Sequence, residues 1–198
     1  MNRFAVVGVC ALAVGCAQAI SLSQTVSNLK PINRTSQIDE ALPPMTAPRL
    51  VITKKDRKLA LFDGDKLVKA YAISLGFAPD GDKEKQGDGK TPEGEFYIFT
   101  KNPKSKFYLS LGLSYPSTED AMRGLKDGLV SQSEHDEIVE AIKQKKMPLQ
   151  YTKLGGEIYL HGGGTRKDWT WGCVALADDD IKELFDALPV GTPVTIRP

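Results

Sequence analysis

The segment HGGGTRKDWTWGCV, from His161 to Val174, carries the chemistry around which the rest of the chain is arranged. His161 is one of two histidines in the chain, and Cys173 is the only cysteine after the apolar N-terminal segment. A thiol becomes a strong nucleophile when a neighbouring base removes its proton. Glycines between the two residues allow a loop that brings them face to face. The segment therefore predicts a Cys–His acyl-transfer site.

An export signal is predicted over residues 1–19. Arg3 precedes an apolar run from Phe4 to Val14, and small residues follow, which is the order of a secretory signal peptide. The run is too short for a membrane span, which needs about 20 residues. We therefore expect the protein to work in the periplasm or cell envelope. An unpaired cysteine is exposed to oxidation there, so Cys173 is expected to be functional rather than a packing residue.

Two processing routes compete at this signal. Ala17-Gln18-Ala19 fits a cleavage site that releases a soluble protein. Leu12 to Cys16 resembles a bacterial lipoprotein box, in which Cys16 would carry the lipid. The sequence favours cleavage slightly, because Ala13 stands where that box usually has a leucine. Membrane attachment is expected only if Cys16 is lipidated, and Cys16 is not a catalytic candidate by either route.

The composition is that of one ordinary globular domain. The chain has 26 basic and 25 acidic residues, so nothing calls for nucleic acid as a partner. Residues 20–48 are polar and rich in proline, which predicts a linker or an arm. The catalytic domain is predicted from residue 49 to residue 198.

The pattern of apolar residues predicts an α+β fold, mainly an antiparallel β-sandwich or barrel-like domain. Short apolar runs and a turn at Asp63-Gly64 predict an antiparallel opening. A helical insertion is predicted at about 118–146, where Ser131 and Glu134 form a capping box. A C-terminal helix is predicted over 179–188, with Asp178 as its N-cap. The further strands are predicted over 50–52, 59–62, 66–75, 95–100, 108–113, 157–160, 174–176 and 193–196.

Two other interpretations of the segment fail. His161 and its three glycines resemble the oxyanion motif of esterases, but the Gly-x-Ser-x-Gly elbow and a later histidine are missing from the sequence. A zinc site would have only Cys173, His161 and His135 as soft ligands, without close spacing. We therefore expect neither a metal nor a cofactor.

The base needs an orienting partner, and the sequence leaves this partner open. Asp168 is one candidate, and a backbone carbonyl of Gly162 or Gly163 is another. The N–H groups of Gly172 and Cys173 are the predicted donors to the tetrahedral oxyanion.

At these residues the chain resembles the L,D-transpeptidase catalytic domain, also called the YkuD family. The motifs that carry the resemblance are His161-Gly162, Thr170-x-Gly172-Cys173-Val174 and the turn Thr91-Pro92-x-Gly94. The resemblance covers about residues 49–198. It implies that Cys173 is the nucleophile, His161 the base and Gly162 the source of the orienting carbonyl.

The resemblance also implies the surroundings of the substrate. Many family members have an arginine two residues after the cysteine, where this chain has Ala175, so Arg166 or Lys167 is expected to recognise the substrate carboxylate. Trp171 and Tyr159 are expected either to line the cleft or to pack in the domain.

The implied reaction takes a peptidoglycan tetrapeptide stem, forms a thioester at Cys173 and releases D-alanine. An amine on another stem, or on a cell-envelope protein, then accepts the acyl group. A hydrolase that uses the same site is the first alternative, because the sequence does not separate water from an amine as acceptor. A non-catalytic wall-binding module is the second, although a binder needs neither the cysteine nor the histidine.

Overall fold

A computed structural model describes residues 42–198 of the protein. The predicted signal peptide, the alternative lipidation of Cys16 and the predicted linker as far as residue 41 lie outside the described residues. Within residues 42–198, none of the helices combines the length and the apolar character that a membrane span requires.

One curled sheet of eight strands forms the body of the described residues, in the order β3-β2-β1-β8-β4-β5-β6-β7. The strands are β1 (Pro48–Thr53), β2 (Lys58–Asp63), β3 (Lys66–Ala72), β4 (Gly94–Ser105), β5 (Tyr108–Leu113), β6 (Tyr159–His161), β7 (Val174–Ala175) and β8 (Pro193–Arg197). The helices are α1 (Thr118–Lys126), α2 (Gln132–Lys143) and α3 (Asp178–Ala187).

The strand pairing is mainly antiparallel, as predicted, with two parallel exceptions. β1 pairs in parallel with β8, and β6 pairs in parallel with β7. β8 also pairs antiparallel with β4, so it connects the first three strands to the next four. The predicted α+β class is confirmed, and the sheet is a single curled layer rather than two separate layers.

The two edges of the sheet approach each other next to the predicted nucleophile. Ser74, just after β3, forms an isolated antiparallel bridge with Ala175 of β7. The Ser74 N–H donates to the Ala175 carbonyl at 2.9 Å, and the Ala175 N–H donates to the Ser74 carbonyl at 2.8 Å. This bridge gives the domain its barrel-like form and places the start of β7 on its rim.

Alternation of apolar and polar residues along the strands builds the core. Leu50 and Ile52 of β1 face inward, as do Leu59 and Leu61 of β2, and all four side chains are fully buried. α3 covers the same core with Ile181, and a second small core lies between the helices of the insertion. The second core consists of Ala121, Val130, Ile138 and Leu154.

The predicted helical insertion is confirmed as α1 and α2. Ser131 caps α2, and the predicted capping box with Glu134 is present. A second capping box, which the sequence analysis missed, joins Ser117 to Asp120 at the start of α1.

The predicted N-cap of the last helix is wrong. Asp178 is the first residue of α3, and Ala177 occupies the N-cap position without a side-chain hydrogen bond. The Asp178 carboxylate instead accepts a hydrogen bond from the Gly163 N–H at 2.8 Å. The glycine loop after His161 therefore competes successfully for this carboxylate, which still lies beside the positive end of the helix.

Candidate active site

His161 is the last residue of β6, and its side chain is buried. Its Nδ1 atom lies 2.6 Å from the Gly162 carbonyl oxygen. A carbonyl oxygen only accepts hydrogen bonds, so Nδ1 carries the proton and Nε2 has a free lone pair. The sequence left three groups as candidates to orient the imidazole ring, and the Gly162 carbonyl is the one that contacts it.

Two aromatic side chains enclose the imidazole ring. Phe107, in the turn between β4 and β5, stacks on His161 with ring centroids 4.6 Å apart, and Trp169 meets its edge at 5.5 Å. Burial lowers the pKa of His161 below its usual value, although the hydrogen bond to Gly162 acts in the opposite direction. The imidazole is therefore neutral at neutral pH.

Gly162 fits this position because it has no side chain. A Cβ atom there would lie 2.4 Å from the Asp178 carboxylate and 2.8 Å from the Phe107 carbonyl oxygen. The main chain can therefore pass between α3 and the β4–β5 turn only with glycine at residue 162.

Cys173 lies immediately before β7 and is half-buried. Its Sγ atom donates a weak hydrogen bond to the Glu157 carbonyl oxygen at 3.4 Å. Burial raises the pKa of the Cys173 thiol to about 11, while a hydrogen bond from the Tyr159 backbone acts against this rise. The resting group is therefore a thiol rather than a thiolate.

The pairing of β6 with β7 brings the predicted base and the predicted nucleophile onto one face of the sheet. Leu160 lies opposite Val174 and His161 opposite Ala175, so Cys173 lies diagonally across from His161. Residues two apart on a strand share a face, and directly paired residues of neighbouring strands do as well. In the described structure the thiol is hydrogen-bonded to Glu157 and not to His161.

Two threonines hold the turn that carries Cys173. Thr170 Oγ1 donates to the Cys173 carbonyl at 2.7 Å and accepts from the Gly172 N–H at 3.2 Å. The fully buried Thr91, from the Thr91-Pro92-Glu93-Gly94 turn, lies 3.5 Å from the same carbonyl and accepts from the Gly76 N–H. The two sequence motifs therefore meet beneath the nucleophile.

These contacts correct one prediction about the oxyanion donors. The Gly172 N–H is already bound to the Thr170 hydroxyl, so it does not point freely at a substrate. The Cys173 N–H has no hydrogen-bond partner within residues 42–198. Of the two predicted donors, only the one from Cys173 is free. Gly172 instead allows the turn to form, because its φ of 128° is a conformation that residues other than glycine rarely adopt.

Asp168 does not orient His161. Its carboxylate binds the Arg57 guanidinium, with Nη2 at 2.7 Å and Nε at 3.0 Å, and accepts the Leu75 N–H at 2.8 Å. Asp168 therefore fastens the loop between His161 and Cys173 to the strands behind it.

The other predicted residues lie around the site with different degrees of exposure. Trp171 is 71% exposed and meets Phe77 at its edge, with ring centroids 4.8 Å apart. Tyr159 is half-buried against Phe99, and Arg166 is exposed on the loop after His161. Ala175, which replaces the family arginine, is fully buried in the bridge to Ser74, so its position here is structural.

Sequence reasoning missed three residues that contact this site, namely Phe107, Glu157 and Asp178. Phe107 and its neighbour Tyr108 are two aromatic residues at a hairpin turn, which was a signal that the position is unusual. Glu157 and Asp178 gave no such signal, because their contacts depend on how distant segments pack. Among the described residues, no group of three or more His, Cys, Asp or Glu side chains is placed to hold a metal ion.

A family model matches this chain across the domain that contains the site. The model, described as the L,D-transpeptidase catalytic domain (YkuD), matches residues 47–196. None of the curated proteins compared with the chain matches it.

Solved structures with the same fold include the helical cell shape determining protein Pgp2 from Campylobacter jejuni. That structure is 20% identical, covers 80% of this chain and 51% of its own, and gives a TM-score of 0.55. A mutant form of Pgp2 is 23% identical, with coverages of 79% and 49% and a TM-score of 0.54. Bd1075 from Bdellovibrio bacteriovorus is 22% identical, with coverages of 79% and 51% and a TM-score of 0.49. The present chain matches about half the length of these solved chains.

Proposed function

Because the chain belongs to the L,D-transpeptidase catalytic domain family, we propose that it is a cysteine acyl transferase acting on peptidoglycan stem peptides. The donor is a tetrapeptide stem, and the acceptor is an amine on a second stem or on a cell-envelope protein. The predicted export signal supports the periplasm or cell envelope as the place of action.

The contact between His161 Nδ1 and the Gly162 carbonyl carries the proposal, because it leaves Nε2 unprotonated on a residue that the strand register places diagonally across from Cys173. Sγ turns away from Glu157, gives its proton to Nε2 and attacks the carbonyl carbon of the third stem residue. The Cys173 N–H donates to the oxyanion that forms. The C–N bond then breaks, the leaving nitrogen takes the proton from His161, and D-alanine departs.

The second half of the reaction returns the enzyme to its starting state. The acceptor amine attacks the thioester carbon and gives a proton to Nε2 of the neutral His161. The C–S bond breaks, and the sulfur takes that proton back as the amide product leaves. Every step uses groups of the chain and its two substrates.

The exposed aromatic pair of Trp171 and Phe77 supports a peptide-binding cleft beside the nucleophile, since aromatic rings supply rigid apolar surface to a bound chain. Arg166 is proposed to bind the terminal carboxylate of the donor stem, because it is exposed on the loop that joins His161 to Cys173.

Incubation with purified muropeptides followed by mass spectrometry tests the proposal. We expect dimers joined between the third residues of two stems, and no product from Cys173→Ala, whose circular dichroism spectrum should match that of the wild type. Shortened stems without dimers would instead identify a hydrolase. Unchanged activity of Cys173→Ala would disprove the site.

A carbapenem gives an independent test of the same thiol. We expect acylation of Cys173, visible as added mass on the intact protein and located by peptide mapping. A wild-type protein without added mass would count against the acyl-transfer chemistry, and Cys173→Ala is the matched control.

A further inference from the structure

We propose that the Glu157 carboxylate, held by Tyr151, binds the cationic amine of the acyl acceptor. The inference rests on the proposed function, because it names the residue that recognises the second substrate. Glu157 lies outside every motif that identified the site.

Glu157 and His161 belong to one short stretch of chain that runs beside Cys173. The Glu157 carbonyl oxygen lies 3.4 Å from Sγ, so the backbone of this residue is in direct contact with the proposed nucleophile. His161 lies four residues further on, at the end of the short strand β6, which begins two residues after Glu157. A thioester formed on Cys173 would therefore lie next to the backbone from which the Glu157 side chain extends.

The Glu157 side chain is exposed and hydrogen-bonded through one of its two oxygens. Its Oε1 atom accepts a hydrogen bond at 3.1 Å from the hydroxyl of Tyr151, a residue that is itself 85% exposed. Its Oε2 atom has no hydrogen-bond partner within residues 42–198, so it is free for a ligand. A carboxylate with one oxygen fixed and the other open suits an ammonium ion, which donates up to three hydrogen bonds.

The backbone at Glu157 is held in a conformation that glutamate does not favour. Its φ is +53°, in the left-handed region that glycine adopts most easily, and Gly155 and Gly156 come just before it. The Gln150 side chain stabilises this conformation by accepting the Glu157 N–H at 2.7 Å. Such local strain is found mostly at functional sites, where the side chain is needed despite its cost.

A carboxylate at this position does not help the first half of the reaction. Its negative charge contributes to the raised pKa of the Cys173 thiol, so it opposes formation of the thiolate. After acylation the sulfur belongs to a neutral thioester, and this repulsion no longer matters. The same charge then attracts a cation, so its benefit falls on the acceptor step.

The acceptor step balances with water as the first proton acceptor. The ammonium ion held by the Glu157 carboxylate gives one proton to water and becomes a neutral amine. The amine attacks the thioester carbon and gives a second proton to His161 Nε2, the C–N bond forms and the C–S bond breaks. Sγ then takes the proton from His161.

The partition of the acyl-enzyme between an amine and water tests this inference, because the product ratio does not depend on how fast the acyl-enzyme forms. The donor is a disaccharide tetrapeptide. The acceptor probes are D-alaninamide, which is mostly cationic at about pH 6.5, and hydroxylamine, which is mostly uncharged there. For Glu157→Gln we expect the ratio of aminolysis to hydrolysis with D-alaninamide to fall about two- to fivefold, the upper part of the range for one exposed charge pair. The ratio with hydroxylamine should change less than twofold.

Two variants and one wild-type measurement make the result decisive. Tyr151→Phe keeps the carboxylate and should lower the D-alaninamide ratio less than Glu157→Gln does. Glu137→Gln, an exposed carboxylate on α2, should leave it unchanged. In the wild type, added salt should lower the ratio of aminolysis to hydrolysis with D-alaninamide and leave the ratio with hydroxylamine unchanged. This measurement tests the charge interaction with the acceptor even if Glu157→Gln does not fold.

The two proposals fail in different ways. If the wild type forms no acyl-enzyme, the proposed function is wrong and this inference falls with it. If the acyl-enzyme forms but Glu157→Gln and added salt leave the D-alaninamide ratio unchanged, only the role of Glu157 is overturned.

Discussion

At the scale of single residues, the site rests as a neutral pair. Burial raises the pKa of the Cys173 thiol and lowers the pKa of His161, so proton transfer between them waits for a substrate. This arrangement protects the thiol, because oxidants and alkylating agents react with the thiolate. The predicted export of the chain would make such protection useful for Cys173, the proposed nucleophile.

The resting thiol predicts slow alkylation that accelerates with pH. Iodoacetamide should modify Cys173 at neutral pH at least about tenfold more slowly than free cysteine, because the thiolate fraction is much lower. The rate should still be rising above pH 9, toward the pKa of about 11. Peptide mapping by mass spectrometry measures the rate at this residue. A rate that is high and constant between pH 5 and 8 would reveal a thiolate–imidazolium pair and contradict the prediction.

Phe107 is predicted to set the acid limb of the activity profile. Phe107→Ala exposes the His161 ring to water and should raise its pKa toward about 6.5. The neutral ring is the base, so activity is lost as the pH falls through this pKa, and the variant should lose kcat/KM at a higher pH than the wild type. Phe107→Leu keeps apolar cover and is the matched control. Superimposable profiles of the wild type and Phe107→Ala would show that the stacking does not control the base.

At the scale of elements, the loop between His161 and Cys173 is tied down at several points. Asp168 binds Arg57 and Leu75 behind the loop, while Thr170 closes the turn in front of Cys173. The Asp178 side chain holds Gly163 to the start of α3. These contacts therefore hold Cys173, the proposed nucleophile, in place, even though the sequence of the loop is rich in glycine.

Asp168→Ala should destabilise the loop between His161 and Cys173. It leaves the Leu75 N–H and the Arg57 guanidinium without their acceptor, which should cost about 1–3 kcal/mol in the free energy of unfolding. The rate of acylation by a carbapenem should also fall, because Cys173 is held less firmly. Urea unfolding and intact-mass kinetics measure the two effects. Asp65→Ala, which breaks an exposed pair with Arg49 at 3.7 Å, is the control and should cost less than about 0.5 kcal/mol. Equal losses in both variants would contradict the role of Asp168.

Features of the fold that depend on contacts between sequence neighbours were predictable, whereas features that depend on contacts between distant segments were not. The strands around Leu50 and Leu59, the helical insertion and the capping box at Ser131 were predictable, because each depends on neighbours in sequence. The contact of His161 with Gly162 was one of several candidates, and spacing alone did not choose among them. The role of Asp178 was mistaken, since a good N-cap residue was recruited by Gly163, 15 residues away.

At the scale of the whole molecule, one core supports the sheet on which the site lies. Leu61→Ala, at a fully buried position of β2, should lower the free energy of unfolding by about 2–5 kcal/mol through lost burial and a cavity. The melting temperature should fall by about 5–15 °C. Leu67→Ala, at a position of β3 that is 55% exposed, is the matched control and should change stability by less than about 0.5 kcal/mol. Calorimetry checks both, and similar melting temperatures for the two variants would contradict this account of the core.

The place of β8 in the sheet has a consequence for biogenesis. β1 and β4 are neighbours in space only through β8, which is made after both of them. While residues 64–192 are being synthesised, the β1–β2 hairpin and the later hairpins each have an exposed edge strand. No earlier segment can pair with the free N–H and C=O groups of these edges. Completion of the sheet is thereby postponed until Pro193–Arg197 has been made, and the export machinery that the predicted signal calls for would have that interval in which to capture an incompletely folded chain.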